Sequence, residues 1–397
     1  MKTLISKLFS PLFPILRADE NFVRPVSQQP KLVGNEPQVG VIQIRNSNGA
    51  AIRIFYPAAP SPSPPPSTTP TPTQIFRNPL AFFFEGYLSL ALSPFLPAFL
   101  LRLINLLLIP LLYVHPLGRI SLPRCADDLP PRREAAKGLI IWSHGLTGTG
   151  CEHGLLATSL ALKGYVVALP HHSDGSSSLV DIKGERSSSS SSSSSKNLFY
   201  KQPDYKAYDP AFRQKQAGHR AAEVEEARSL CFSLPLFTGG LLSRERTPAI
   251  VGGFSFGAAT AGLVAATNPG AYRCAVLIDG WWNIDLPKHN VFVNLPAEMH
   301  DKGTVLPTLF VGSEEFDSYP RMKEATAQVQ AKCKNEGNEV HLMKGTRHGN
   351  FMDAVFWLPK SITARIGMAG RGVDAHEAYA EFGATVGRFI DKHSNDE

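Results

Sequence analysis

The residues best placed to do chemistry are Gly253-Phe254-Ser255-Phe256-Gly257, a G-x-S-x-G pentapeptide in a chain of 397 residues. The apolar run Ala249-Ile250-Val251 precedes it, and small residues follow from Ala258 to Ala266. A strand, a sharp turn and a helix in that order hold a serine in strained backbone angles and lift its hydroxyl clear of a sheet edge. The pentapeptide alone is common in ordinary turns, so its flanks are what make Ser255 a candidate nucleophile. A serine hydroxyl attacks poorly at neutral pH. It needs a histidine to take its proton and a carboxylate to orient that histidine.

Hydrolases built on this elbow place the acid and then the histidine after the serine. Six histidines lie beyond Ser255. His289 and His300 sit in polar sequence with no strand leading in, and His341 falls inside the strand-like run Glu339-Val340-His341-Leu342-Met343, where a packed or edge role is expected. His376 opens the last helical stretch and His393 lies in the polar tail after it. His348 follows the His341 run by a short loop, Lys344 to Arg347, and precedes Gly349-Asn350-Phe351. A loop histidine just past a late strand is where the base belongs.

The residues leave two candidates for the acid. Asp279 ends the apolar run Cys274 to Ile278 and is followed by Gly280-Trp281-Trp282, whereas Glu314, Glu315 and Asp317 follow the next run, Thr308 to Gly312. Apolar surroundings favour Asp279, because an orienting carboxylate works buried beside its histidine. The oxyanion formed on attack needs two backbone N–H donors. Phe256 supplies one. The other is expected from Leu146, in the glycine-rich loop Ser143 to Gly150 that follows the apolar run Gly138 to Trp142. The spacing of that loop fits neither G-x-G-x-x-G nor G-x-x-x-x-G-K, so phosphate binding is set aside.

Five motifs stand in order: Ser143-His144-Gly145-Leu146, His172-Ser173-Asp174-Gly175-Ser176, the Ser255 pentapeptide, Asp279-Gly280-Trp281 and His348-Gly349-Asn350-Phe351-Met352-Asp353. Together with the charged helical stretch from Phe212 to Glu223, the set resembles the plasma-type platelet-activating factor acetylhydrolases over roughly residues 41 to 392. The resemblance implies an α/β-hydrolase fold and a calcium-independent phospholipase. Its substrates would be platelet-activating factor and phospholipids with a short or oxidised sn-2 chain. It implies Ser255 as nucleophile, Asp279 as acid, His348 as base, and Leu146 with Phe256 as oxyanion donors, and it decides between the two acids. Phe254 stands where the family often has His, Ala258 where Gly is usual, and Ser173 where Arg commonly precedes the Asp. Two rivals are a carboxylesterase or dienelactone-type hydrolase of soluble esters, and a non-catalytic lipid-binding protein on the same scaffold.

Composition agrees with an enzyme. Hydrophobic residues make up 43% of the chain, enough for a large core, and the net charge of +6 is mildly basic without a Lys/Arg block. Nucleic acid is therefore not an expected partner, whereas peripheral contact with a membrane or lipid particle suits this charge; a phospholipid substrate is what the resemblance implies. The five cysteines are odd in number and lack C-x-x-C spacing, which argues against a disulfide framework and a zinc site. Cys274 reads as core and Cys333, between two lysines, as surface. Serine chemistry of this kind calls on no metal and no organic cofactor.

The remaining sequence must position these residues. Strand-like runs over 40–45, 51–56, 138–142, 165–169, 249–252, 274–278, 308–311 and 339–343 alternate with helical stretches over 217–231, 258–266, 321–334 and 375–393. The pattern predicts an α/β chain with a mostly parallel eight-stranded sheet and helices on both faces. An N-terminal extension is expected over 1–39 and a single α/β-hydrolase domain over 40–393. Disordered insertions are expected at 60–73, rich in Pro, Ser and Thr, and at 184–197, around an unbroken serine run. The segment 79–115 is very apolar, but Glu85, Pro94, Pro97, Arg102, Asn105 and Pro110 interrupt it, so short helices or an interfacial surface are expected over a spanning helix. The first twenty residues make a poor signal peptide, which favours an intracellular setting.

Overall fold

The computed structural model describes residues 38–59, 71–74, 85–86, 100, 103–104, 121–183, 195–201, 211–282, 285–286, 291–292, 298, 302–357, 360–365 and 367–394. Most of the segments 1–39, 60–73, 79–115 and 184–197, together with His289 and His300, lie outside them. Among the described residues the strands are β1 (Val39–Arg45), β2 (Ala51–Pro57), β3 (Pro72–Gln74), β4 (Ser121–Asp127), β5 (Leu139–Ser143), β6 (Val166–Pro170), β7 (Leu179–Lys183), β8 (Ser195–Phe199), β9 (Ala249–Phe254), β10 (Cys274–Ile278), β11 (Asp285–Leu286), β12 (Val291–Phe292), β13 (Thr308–Ser313) and β14 (Glu339–Met343). The longer helices are α1 (Gly154–Leu162), α2 (Ala211–Ser233), α3 (Phe256–Thr267), α4 (Pro320–Lys332) and α5 (Ala375–Ser394).

One sheet of ten strands runs in the order β14-β13-β10-β9-β5-β6-β2-β1-β4-β3. The six strands from β14 to β6 are mutually parallel, and β2 turns the sheet antiparallel at β6. This is the α/β-hydrolase fold, with ten strands where the sequence predicts eight. The two additions, β3 and β4, extend the far edge beyond β1. Two segments read as disordered also end in strands. Pro72 and Thr73 belong to β3, while Ser195, Lys196 and Asn197 belong to β8, which pairs with β7. The pairing gives those residues backbone partners that composition does not reveal.

Strands β5, β6, β9 and β10 are buried at every residue, as parallel strands covered on both faces must be. Their side chains alternate between two cores. Ile140, Trp142, Ile250, Phe254, Val276 and Ile278 pack with Leu155 and Leu156 of α1 and with Phe382, Phe389 and Ile390 of α5. Leu139, Ile141, Val251, Ala275 and Leu277 pack on the other side with α2, α3 and Val329 of α4. Each fully buried aliphatic or aromatic side chain contributes about 1.5–3 kcal/mol of transfer free energy, so the sheet is the stable frame of the molecule. The small side chains of α3 let it lie close on β9 and β10, holding its first turn against the sheet.

Cys274 is in the core, as read from its strand. Cys333 corrects the reading: it is buried, although lysines flank it, because it follows the last turn of α4 with its side chain turned onto Val329 and Leu306. All five cysteines are buried as free thiols. No helix among the described residues is long and apolar enough to cross a membrane.

The strand order fixes where a site can form. The chain passes from β5 to β6 on one side and returns to place β9 on the other, so the order reverses at β5. Ligands of open α/β sheets bind at the carboxyl ends of the strands flanking such a point.

Candidate active site

Ser255, Asp279 and His348 each follow a strand end at that carboxyl edge, and Leu146 lies in the loop after β5. Ser255 joins β9 to α3 with φ 59° and ψ −121°, a conformation costly for any residue with a side chain. The sharpness of the turn explains the flanking glycines. A Cβ on Gly253 would lie 2.2 Å from the Gly257 carbonyl oxygen, and one on Gly257 would lie 2.0 Å from that of Ser143. Ser255 N–H donates to the Ile278 carbonyl at 2.8 Å and the Ser255 carbonyl accepts from Trp281 N–H at 3.3 Å. The elbow is thus tied to the next strand end, where Asp279 stands.

Asp279 also has positive φ, 43°, and is 4% exposed. Its Oδ2 accepts from His348 Nδ1 at 2.9 Å and from Ser313 Oγ at 2.6 Å, and its Oδ1 accepts from Ser313 N–H at 2.6 Å. A carboxylate with this set of donors orients an imidazole and fixes its tautomer, with Nδ1 protonated and Nε2 free to accept. The rival acidic cluster is near but serves the loop. Glu315 Oε2 accepts from the His348 backbone N–H at 2.9 Å, Glu314 Oε2 accepts from Gly345 N–H at 2.5 Å, and Asp317 pairs with exposed Lys323 at 3.0 Å. The structure brings the His348 ring to Asp279, while Glu314 and Glu315 bond backbone N–H groups and Asp317 pairs with Lys323.

Packing holds the imidazole as well. Phe254 stacks on one side with ring centroids 4.4 Å apart and Phe316 on the other at 4.2 Å, nearly parallel. Phe254 immediately precedes Ser255, so one aromatic ring couples the elbow to the His348 imidazole. His153 packs edge-on against Phe254, and burial holds its imidazole down at about 3, hence neutral. Of the two tryptophans that follow Gly280, Trp282 is buried and Trp281 half-buried.

The glycine-rich loop after β5, expected to carry an oxyanion donor, meets the elbow. Gly145 lies against Ser255 and Phe254 so closely that a Cβ there would be 3.1 Å from the Ser255 Cβ. Phe256 is the first residue of α3, where backbone N–H groups have no intrahelical acceptor. Leu146 follows Gly145 in a turn. Phe256 thus adjoins Ser255 along the chain, and Leu146 adjoins the glycine packed against it. His341 lies on the sheet's outermost strand and bonds Glu381, and His376 stacks on Phe356, so neither joins the site.

Several contributors escaped the sequence reading: the Phe316 and Phe254 rings, Ser313, and the polar inner face of α2, where Arg213, Gln216, Arg220 and Glu223 are buried. Asp353, at the end of the His348 motif, is fully buried. It accepts from Tyr379 Oη at 2.5 Å and from Leu155 N–H at 2.8 Å, capping α1. Burial raises its carboxyl to about 8, with the Tyr379 and Leu155 bonds opposing. A carboxyl that titrates higher folded than unfolded favours folding while protonated; that contribution is complete below about pH 4 and is lost as pH climbs toward 8. The thermal midpoint should fall between about pH 5 and 8, and Asp353→Asn should flatten the fall. An equal slope in the variant would assign the pH dependence to another group.

Comparison with known proteins places this geometry in context. The family described as platelet-activating factor acetylhydrolase, isoform II, matches residues 104–237 and 232–396. The platelet-activating factor acetylhydrolase of Canis lupus familiaris is 26% identical over 295 residues, covering 70% of this chain and 61% of that protein. That of Cavia porcellus is 23% identical over 246 residues, covering 59% of this chain and 52% of that protein. The matches thus span little more than half to three fifths of these relatives' length. Among solved structures, a ferulic acid esterase from Streptomyces cinnamoneus superposes with a TM-score of 0.57 at 18% identity, covering 91% of each chain, a likeness of fold.

Proposed function

Since the chain belongs to the platelet-activating factor acetylhydrolase, isoform II, family, we propose that it is a serine esterase of phospholipids carrying a short or oxidised sn-2 acyl chain. The observation that carries the reading is the His348 ring, bonded to buried Asp279 and stacked on the residue preceding Ser255. In the proposed reaction Ser255 Oγ attacks the ester carbonyl as His348 Nε2 takes its proton. Asp279 holds the imidazole in that tautomer and stabilises the imidazolium. The tetrahedral oxyanion receives the Leu146 and Phe256 N–H groups. His348 then protonates the departing lysophospholipid oxygen, leaving an acyl-serine that water, activated by the same histidine, hydrolyses. The cycle calls on no metal and no organic cofactor. What supports the substrate class is family membership and the names of the relatives; the site's own geometry supports the ester chemistry.

The test is hydrolysis of phosphatidylcholines whose sn-2 chain runs from acetyl to oleoyl, in EDTA. Turnover that is fast for acetyl and falls steeply with length is expected. Cleavage of p-nitrophenyl acetate without any phospholipid turnover would make the protein a carboxylesterase of soluble esters instead.

A further inference from the structure

The oxyanion loop is held by a buried polar cluster that the reaction scheme does not use. Leu146 N–H belongs to the same planar trans peptide as the Gly145 carbonyl, and within such a unit the two groups point in opposite directions. Whatever holds that carbonyl aims that N–H. His144 Nδ1 donates to it at 2.8 Å and Arg220 Nη2 at 3.3 Å. Arg220 Nη1 also donates to the neighbouring His144 carbonyl at 2.6 Å. We propose that Arg220 and His144 are positioning residues that clamp the Gly145 carbonyl so that the Leu146 N–H faces the developing oxyanion, an inference that rests on the serine-esterase reading.

The rest of the cluster fixes both clamps. Arg220 is fully buried on the inner face of α2. Its Nε reaches Asp174 Oδ2 at 3.2 Å and Ser176 Oγ at 2.8 Å, and its Nη2 reaches Ser176 Oγ at 2.5 Å. The guanidinium lies 4.7 Å from the centroid of the Phe256 ring, the residue that carries the second oxyanion amide. One cation thus touches both halves of the oxyanion site, and a planar fork with five donors is the side chain that can do so.

His144 must donate from Nδ1, since a carbonyl only accepts; its Nε2 is left to receive His172 N–H, at 3.4 Å. His172 is held in turn. Its Nδ1 donates to Glu223 Oε2 at 2.8 Å, and its Nε2 pairs with the hydroxyl of Ser143, the last residue of β5, at 2.8 Å. This Ser143-His172-Glu223 chain copies the order of groups in a catalytic triad but is wholly buried, so it serves to lock the root of the loop. Burial, with Arg220 adding to it, lowers both imidazoles below their usual range and keeps them neutral, as these bonds require. Burial pushes the Glu223 carboxyl up, but hydrogen bonds from His172, His219 and Ser173 outweigh it and keep it ionised.

A purely structural role for the cluster would lower stability and leave each folded site as fast as before. Positioning predicts a different result. The full chain, Arg220→Lys and His144→Phe are compared on p-nitrophenyl acetate, with kcat expressed per serine titrated to completion by a fluorophosphonate. In both variants kcat should fall about tenfold to a hundredfold with KM within about twofold, and the Ki of an alkyl boronic acid, which forms a tetrahedral anionic adduct, should rise in step. An unchanged kcat per titrated site in either folded variant overturns the proposal. If circular dichroism shows Arg220→Lys unfolded, His144→Phe decides, because it removes one clamp and leaves the Arg220–Asp174 pair in place. Absence of Ser255-dependent hydrolysis in the unmodified chain would instead defeat the esterase reading, and this inference with it.

Discussion

Asp279→Asn lowers kcat by about 10⁴-fold while the fold and KM stay nearly unchanged. The reason lies in what Asp279 accepts. Three donors converge on its two oxygens: His348 Nδ1, Ser313 Oγ and Ser313 N–H. An asparagine keeps one acceptor oxygen, and the Ser313 N–H competes for it. Its amide then presents N–H to the imidazole, which favours the tautomer with the proton on Nε2, where no proton can be taken from Ser255. The acids after β13 give the contrast. Asp317 faces solvent with Lys323, so Asp317→Asn should change kcat by less than about threefold, as exposed ion pairs are worth less than about 1 kcal/mol. Steady-state kinetics on p-nitrophenyl acetate read both variants. A severe loss in Asp317→Asn with a mild one in Asp279→Asn would move the acid to the β13 loop.

Ser255→Ala is expected to cost more, about 10⁶-fold in kcat, because it removes the covalent path and leaves only the oxyanion donors and binding to act on water. The structure predicts that the variant folds. The Ser255 backbone bonds Ile278, Ala258, Ala259 and Trp281, and alanine keeps all four bonds. The thermal midpoint should therefore stay close to that of the parent. Residual turnover within tenfold of the parent would mean that another group performs the attack.

The site was legible in the sequence to the extent that its residues sit where local pattern and chemistry coincide. Ser255 is announced by a strand before it and small residues after it, and steric crowding at Gly253 and Gly257 explains why those positions carry no side chain. His348 stands out because a loop after a late strand suits a base and the other histidines have helical, edge or polar settings. The acid was harder. Two carboxylate groups end adjacent parallel strands, and which one meets the imidazole depends on how β10 and β13 register, which no local pattern encodes.

Other features are illegible for physical reasons. Strand β4 reads Ser-Leu-Pro-Arg-Cys-Ala-Asp, with a proline and charges that suit a position near the sheet's edge but disguise it as a loop. Cys333 lies between lysines whose long side chains reach outward while its own turns in. Arg220 and Glu223 were read as part of a charged helix, because polar residues ordinarily mark the solvated face. The clue lay in their phase: Arg213, Arg220, Val224, Ala227 and Cys231 share the buried side of α2, so its inner face mixes apolar groups with a buried cation.

Covalent labelling shows whether Ser255 is the attacking group. The full chain is treated with a fluorophosphonate, digested, and mapped by mass spectrometry, with Ser255→Ala alongside. One phosphonyl group per chain is expected on the peptide carrying Ser255, with loss of ester hydrolysis in proportion to labelling and no label in the variant. A chain that hydrolyses esters while Ser255 stays unlabelled, or that takes its label on another residue, would contradict that role for Ser255.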